Sequence, residues 1–182
     1  RVAESNVSVL LTGESGTGKD LLARTLHRLS PRAQGPFVDV NCAALSESLL
    51  EAELFGHEKG SFTGATSTRP GLVEAADGGT LFLDEVAEMP PALQAKLLRM
   101  TEDRTLYRVG GRQRIRVDIR IIAATNRDPA KEIASGRLRE DLYYRLSGVE
   151  ILVPPLRERP EDVEPLAPYY LKAAVRQAGR GP

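Results

Sequence analysis

Seven residues, Gly13-Glu14-Ser15-Gly16-Thr17-Gly18-Lys19, constrain this chain more than any other feature. They follow the apolar run Val7-Ser8-Val9-Leu10-Leu11 and precede a stretch in which Leu22, Leu26 and Leu29 recur at helical spacing. A G-x-x-x-x-G-K pattern between a strand and a helix is a phosphate loop, because its glycines let backbone N–H groups turn inward while the helix N-terminus adds a positive dipole end. Lys19 then reaches the β- and γ-phosphates. Asp20 occupies the position where the general pattern has a Ser or Thr whose hydroxyl contacts Mg²⁺. A carboxylate there either binds the metal through water or stays clear of the phosphates.

Such a loop needs a sheet to carry it, and the rest of the chain supplies one. Short apolar segments at 37–40, 80–83, 119–124 and 149–153 alternate with helical patterns at 46–55, 91–102, 129–134 and 139–145. Strands that are apolar throughout and alternate with helices predict an α/β fold, a parallel sheet covered by helices on both faces. Two glycine-bearing stretches break the rhythm. Residues 57–70 have no apolar periodicity, and residues 106–116, around Gly110-Gly111, predict a hairpin. After Pro154-Pro155 the pattern becomes one charged helix over 161–177. This divides the chain into an α/β nucleotide-binding part at 1–155 and the truncated beginning of a second, helical subdomain at 156–182.

Composition removes other classes. Net charge is zero, from 25 Lys and Arg against 25 Asp and Glu. This is neither a basic nucleic-acid tail nor an acidic disordered segment, and it argues against direct DNA binding. No apolar run approaches the roughly 18 residues that span a bilayer, so a membrane protein is not expected. The single cysteine, Cys42, reads as a small buried hydrophobe, and with it a cytoplasmic setting. His27 and His57 lack metal-ligand spacing and read as surface or packing residues. The chain opens on Arg1 and ends on the turn-rich Gly179-Arg180-Gly181-Pro182, which together read as a piece of a longer protein.

A second motif completes the chemistry. Leu81-Phe82-Leu83-Asp84-Glu85 is an apolar strand ending in two carboxylates, and ligand sites of parallel sheets lie at the carboxyl ends of strands. Phosphoryl transfer needs charge neutralisation and a positioned nucleophile. Asp84 is expected in the Mg²⁺ shell and Glu85 at the attacking water. Glu85 separates a hydrolase from a nucleotide switch.

At this point the sequence resembles the AAA+ ATPase domain of bacterial sigma-54-dependent enhancer-binding activators, of the nitrogen regulatory protein C type. Gly60-Ser61-Phe62-Thr63-Gly64-Ala65 is similar to that family's GAFTGA loop, with Ser61 in place of the usual alanine, and Glu53-Leu54-Phe55-Gly56-His57-Glu58-Lys59 before it follows the same family's pattern. The similarity runs from about residue 7 to 167. It implies a P-loop NTPase of AAA+ type that hydrolyses ATP with Mg²⁺ and remodels closed complexes of sigma-54 RNA polymerase through residues 60–65, with Phe62 and Thr63 on sigma-54. Asp20 is then a one-methylene departure from the family's Glu. The resemblance also implies that Asn126, in Ala123-Ala124-Thr125-Asn126, senses the γ-phosphate, and that Asn41 holds the catalytic Glu in an inactive pose. Arg139 and Arg145 match two arginines offered to a neighbouring subunit's nucleotide, which implies a ring, usually a hexamer. Residues 106–116 resemble the family's second surface loop. The family's lid arginine, adenine pocket and helix-turn-helix DNA module have no counterpart in these 182 residues. A remodeller of another protein target, or a nucleotide-dependent assembly switch, are the alternative readings.

The residues themselves permit two readings of several of these positions. Phe62, between two glycines in an unperiodic stretch, is either displayed for a partner or tucked back as an anchor. Asn126 and Asn41 are also ordinary turn formers after strands. Glu140 and Asp141 can pair with Arg139 and Arg145 on a solvated helix.

Overall fold

The computed structural model describes residues 1–177; the expected turn-rich end at 179–182 lies outside the described residues. Five strands form one parallel sheet, β1 (Val9–Thr12), β2 (Phe37–Asn41), β3 (Thr80–Asp84), β6 (Arg120–Thr125) and β7 (Val149–Leu152), in the order β2-β3-β6-β1-β7. The three central strands are buried along almost their whole length, which explains their uninterrupted apolar character, whereas the edge strands β2 and β7 keep exposed positions.

Alternation along the strands feeds two cores. Leu10, Leu81, Leu83, Ile121 and Ala123 face one side, against α2 (Glu47–Phe55), α3 (Leu72–Ala75), α4 (Pro91–Asp103) and α6 (Glu140–Leu146), through Leu50, Leu54, Val73, Leu93, Leu97, Met100, Leu142 and Leu146. Val9, Leu11, Phe82, Ile122 and Ala124 face the other, against Ala23 and Leu26 of α1 (Lys19–Arg28). The period of two in a strand sends neighbours to opposite faces, so a sheet covered on both sides must be apolar at every position. Leu29, which spacing groups with Leu22 and Leu26, lies one residue past α1 and is exposed.

Register sets the site. Thr12 pairs with Thr125, Leu83 with Ala123, and Asn41 with Asp84, so β1, β2, β3 and β6 end along one edge of the sheet. The ribbon expected at 106–116 forms from β4 (Thr105–Leu106) and β5 (Ile115–Arg116), paired antiparallel. Helix α5 (Pro129–Ala134) follows β6, and beyond β7 two 3₁₀ turns, Leu156–Glu158 and Pro160–Asp162, lead into α7 (Val163–Gln177). Helix α3 and the 3₁₀ turn Val86–Glu88 interrupt stretches the sequence leaves irregular. Among the described residues no helix is long and apolar enough to cross a membrane.

Candidate active site

The phosphate loop closes on its own lysine. Gly16 and Gly18 take φ of +80° and +89°, a left-handed backbone that any other residue would adopt under strain. The turn buries Lys19, whose Nζ donates to the carbonyls of Gly13 at 2.9 Å and Glu14 at 3.0 Å, while the Thr17 hydroxyl donates to Glu14 O at 2.9 Å. Asp20 stays exposed in the first turn of α1.

Across from the loop, β3 delivers the acidic pair. Asp84 Oδ1 accepts the Glu85 N–H at 3.0 Å. Glu85 itself has φ +52° and ψ +46°, a left-handed conformation that costs a non-glycine residue energy and clusters at functional sites. Its Oε2 accepts the Asn126 N–H at 3.1 Å, so the ends of β3 and β6 are joined through the carboxylate. Ser15, Gly16, Gly18, Lys19, Asp20, Asp84 and Glu85 line one cleft of about 120 Å³. A cation and two or three carboxylates around backbone N–H groups can hold a polyphosphate and a hard divalent cation. Among the described residues no three His, Cys, Asp or Glu side chains form a metal cage.

Other expected residues lie elsewhere. Asn41 sits beside Asp84 in register, but its Oδ1 accepts the Ala43 N–H at 2.9 Å in a local turn and does not meet Glu85. Cys42 is buried, and its thiol is pushed up to about 12, first by burial and then by the charges of Asp84 and Glu85, which makes it inert. His27 packs inside, with Nδ1 2.9 Å from the Thr80 hydroxyl. Arg139 and Arg145 lie outside the cleft: Arg139 forms a bidentate pair with Asp141 at 2.7 and 3.0 Å, and Arg145 donates to the Thr101 carbonyl.

The segment presenting Arg139 is braced by residues that the sequence does not single out. Gln94, fully buried in α4, donates to the Met89 and Arg137 carbonyls, both at 2.7 Å, and accepts the Arg139 N–H at 2.9 Å. Glu132, buried in α5, takes Arg137 at 2.6 and 2.9 Å and Arg127 at 3.2 Å. The hydrogen bonds from Arg137 hold its carboxyl at about 2 against an ordinary 4.5. A carboxyl depressed in the folded state stabilises fully above the unfolded value and loses its contribution as pH falls toward 2. Glu132→Gln is therefore expected to be less resistant to urea than the parent at pH 7, with the gap closing by about pH 2. A gap that does not change with pH would assign the loss to packing alone.

The 60–65 segment is a self-closed loop on a narrow neck. Gly60 N–H donates to Ala65 O at 2.8 Å and Ala65 N–H to Phe62 O at 3.0 Å. Phe62 is 44% exposed, its ring edge-on to His57 at 5.0 Å between centroids, so it is displayed with one side supported. Thr63 and Gly64 are exposed too, whereas Ala65, expected on the partner surface with them, is buried and turned into the neck. The neck pairs His57 with Arg69 and is joined to the ribbon by Glu58 N–H to Val109 O and Val109 N–H to Gly56 O, at 3.0 and 2.9 Å. Arg108 on the ribbon grips both sides, bidentate to Glu74 at 2.8 and 2.9 Å and to Glu58 at 3.1 Å. The Glu58 carboxyl is held below its usual range first by the Thr68 hydroxyl and then by Arg108, and that of Glu74 first by Arg108 and then by the Gly71 N–H. Arg108 and Glu74 carry no sequence signal, because partners 34 residues apart have no period to betray them.

The sequence pattern of the sigma-54 interaction domain matches residues 1–152. The Nif-specific regulatory protein of Azotobacter vinelandii is 58% identical over 180 residues, covering 99% of this chain and 34% of that protein. NtrX from Brucella abortus superimposes with a TM-score of 0.91 at 45% identity, over 100% of this chain and 41% of that one, and has also been solved with ADP and with ATP. The P-loop NTPase domain of a sigma-54 transport activator from E. coli shares the fold, with a TM-score of 0.56 at 24% identity over 85% of this chain and 87% of its own. The chain spans about a third of the length of the curated relatives it matches.

Proposed function

The chain belongs to the sigma-54 interaction domain family, and on that premise we propose that it is an ATP-hydrolysing module that drives the Phe62-Thr63 loop against sigma-54 to open promoter complexes. The observation that carries this reading is the single cleft in which Lys19, Asp84 and Glu85 meet beneath the loop amides.

The residues divide the work. Residues Gly13 to Asp20 cradle the ATP phosphates, with Lys19 against the transferring group. Glu85 takes the proton of the attacking water, and Asn126, whose backbone N–H donates to the Glu85 carboxylate, senses the γ-phosphate. Asp84 and Asp20 would hold Mg²⁺, which would supply charge neutralisation at the phosphates. Asn41 is to exchange its bond to the Ala43 N–H for one to Glu85 when the loops engage. Arg139 and Arg145 act on the nucleotide of an adjacent copy in a ring, where guanidinium supplied in trans contributes ~10³–10⁵ in rate in well-studied cases. Their present bonds to Asp141 and Thr101 are the ones such assembly must break. Residues 156–177 begin the helical lid. The Glu58–Arg108–Glu74 ion-pair network supports a rigid link between the 60–65 loop and the ribbon.

Thr63→Ala tests the partner assignment. It is expected to hydrolyse ATP at the parent rate and to lose capture of purified sigma-54 in the presence of a transition-state mimic of ATP. Unchanged capture would favour a remodeller with another target, and lost hydrolysis would mean that the loop is part of the ATP site.

A further inference from the structure

Beyond β7 the chain doubles back along the phosphate loop. Val153 N–H donates to Thr12 O at 2.7 Å, and the Val153 carbonyl oxygen lies 2.4 Å from where a Cβ on Gly13 would sit. Two arginines of the following turns then reach the loop from outside. Arg157 forms a bidentate pair with Glu14, at 2.8 and 2.5 Å, and Arg159 Nη2 donates to the Thr17 carbonyl at 2.6 Å while Nη1 holds Asp162 at 3.2 Å.

Stability does not explain the first of these contacts. Arg157 and Glu14 are 63% and 57% exposed, and an ion pair so open to water adds little to the fold. Its consequence is electrostatic and local. Glu14 puts a negative charge into a loop shaped for a polyanion, where, unpaired, it would repel the incoming phosphates. Arg157 cancels it. Arg159 acts through geometry. In a trans peptide the C=O and the following N–H point to opposite sides. With the Thr17 carbonyl held by Arg159, the Gly18 N–H is turned the other way, toward the cleft that Gly18 and Lys19 line.

We propose that Arg157 and Arg159 are positioning residues for the nucleotide phosphates, Arg157 by cancelling the Glu14 charge and Arg159 by fixing the Thr17–Gly18 peptide. The segment that leads into the lid thereby sets the charge and shape of the phosphate cradle. This rests on the ATP reading above.

Titration calorimetry with ATP on the whole 182-residue chain tests the charge role. Arg157→Gln is expected to weaken ATP about fivefold, the scale of one uncompensated charge near the surface, at an unchanged thermal midpoint. Adding Glu14→Gln should bring the affinity back to within about twofold of the parent, because the repelling charge is gone. A double variant as weak as the single overturns charge cancellation. Arg159→Gln is expected to weaken ATP about tenfold, the loss of one hydrogen bond from a charged donor, with Arg159→Lys recovering part of it. In the ¹H–¹⁵N spectrum recorded without nucleotide, the Gly18 amide should shift in Arg159→Gln, and an unmoved Gly18 resonance overturns the peptide role. If the parent binds no ATP, the ATP reading and the charge role both fail, and the Gly18 resonance alone decides Arg159.

Discussion

Glu85→Gln is expected to bind ATP as the parent does and to release phosphate about 10²–10⁴-fold more slowly, the usual contribution of a positioned general base. The substitution keeps the shape and an acceptor oxygen for the Asn126 N–H, so the link between β3 and β6 survives. What disappears is the capacity to take a proton. The left-handed backbone at Glu85 supports this role over a structural one, because glycine would take φ +52° more easily and a side chain is retained there nonetheless. On the proposed reading Lys19 and the loop amides would still hold the phosphates and Asp84 the Mg²⁺, so binding by calorimetry should be unchanged. Phosphate release in steady state measures the rest. Normal turnover in this variant would leave the acidic pair without a hydrolytic purpose and would favour a switch that merely binds nucleotide.

The parts of this molecule that were legible in the sequence are those fixed by local rules. The strand–loop–helix around Lys19, the apolar strand ending in Asp84-Glu85 and the parallel sheet all follow from periodicity and short spacings. Strand bounds differ from expectation by one or two residues: β1 and β6 begin two and one residues later than the apolar runs at 7–11 and 119–124, and pairing of Thr12 with Thr125 carries both one residue beyond their C-terminal ends. Helix α3 escapes notice since four residues make a single turn, with no period to detect. The site residues found only in three dimensions share another trait. Gln94, Arg108, Arg157 and Arg159 act on groups tens of residues or more away, through polar bonds whose geometry no spacing encodes. Resemblance names Asn41 and the two arginines of α6 and its N-terminus, but in this chain they are occupied with Ala43, Asp141 and Thr101.

Gly71→Ala is expected to destabilise the fold by about 2–4 kcal/mol and to lower the thermal midpoint by roughly 4–16 °C, at the upper end for overpacking in a domain of this size. Gly71 has an ordinary φ of −91°, so its identity is not required by dihedral strain. A Cβ there would lie 2.3 Å from Gly56 N, 2.4 Å from Leu54 O and 2.5 Å from Phe55 C, all backbone atoms that have no rotamer by which to yield. Gly56, facing it, would meet Arg69 O at 2.5 Å and Gly71 N at 2.6 Å. The two glycines thus let the chain enter and leave the 57–70 excursion in direct backbone contact, at the C-terminus of α2 and the N-terminus of α3. Gly64→Ala gives the contrast. Its Cβ would meet nothing within 4 Å, and the cost reduces to the left-handed φ of +101°, about 1–2 kcal/mol. Thermal unfolding of both variants measures the difference, and equal midpoints would mean that the neck opens at no cost. If the neck is as tight as these distances require, the Phe62-Thr63 tip is carried on a stalk rooted in the core through Leu54 and Phe55. On the proposed reading, force generated at the sheet edge would then reach the tip without being absorbed in a flexible hinge.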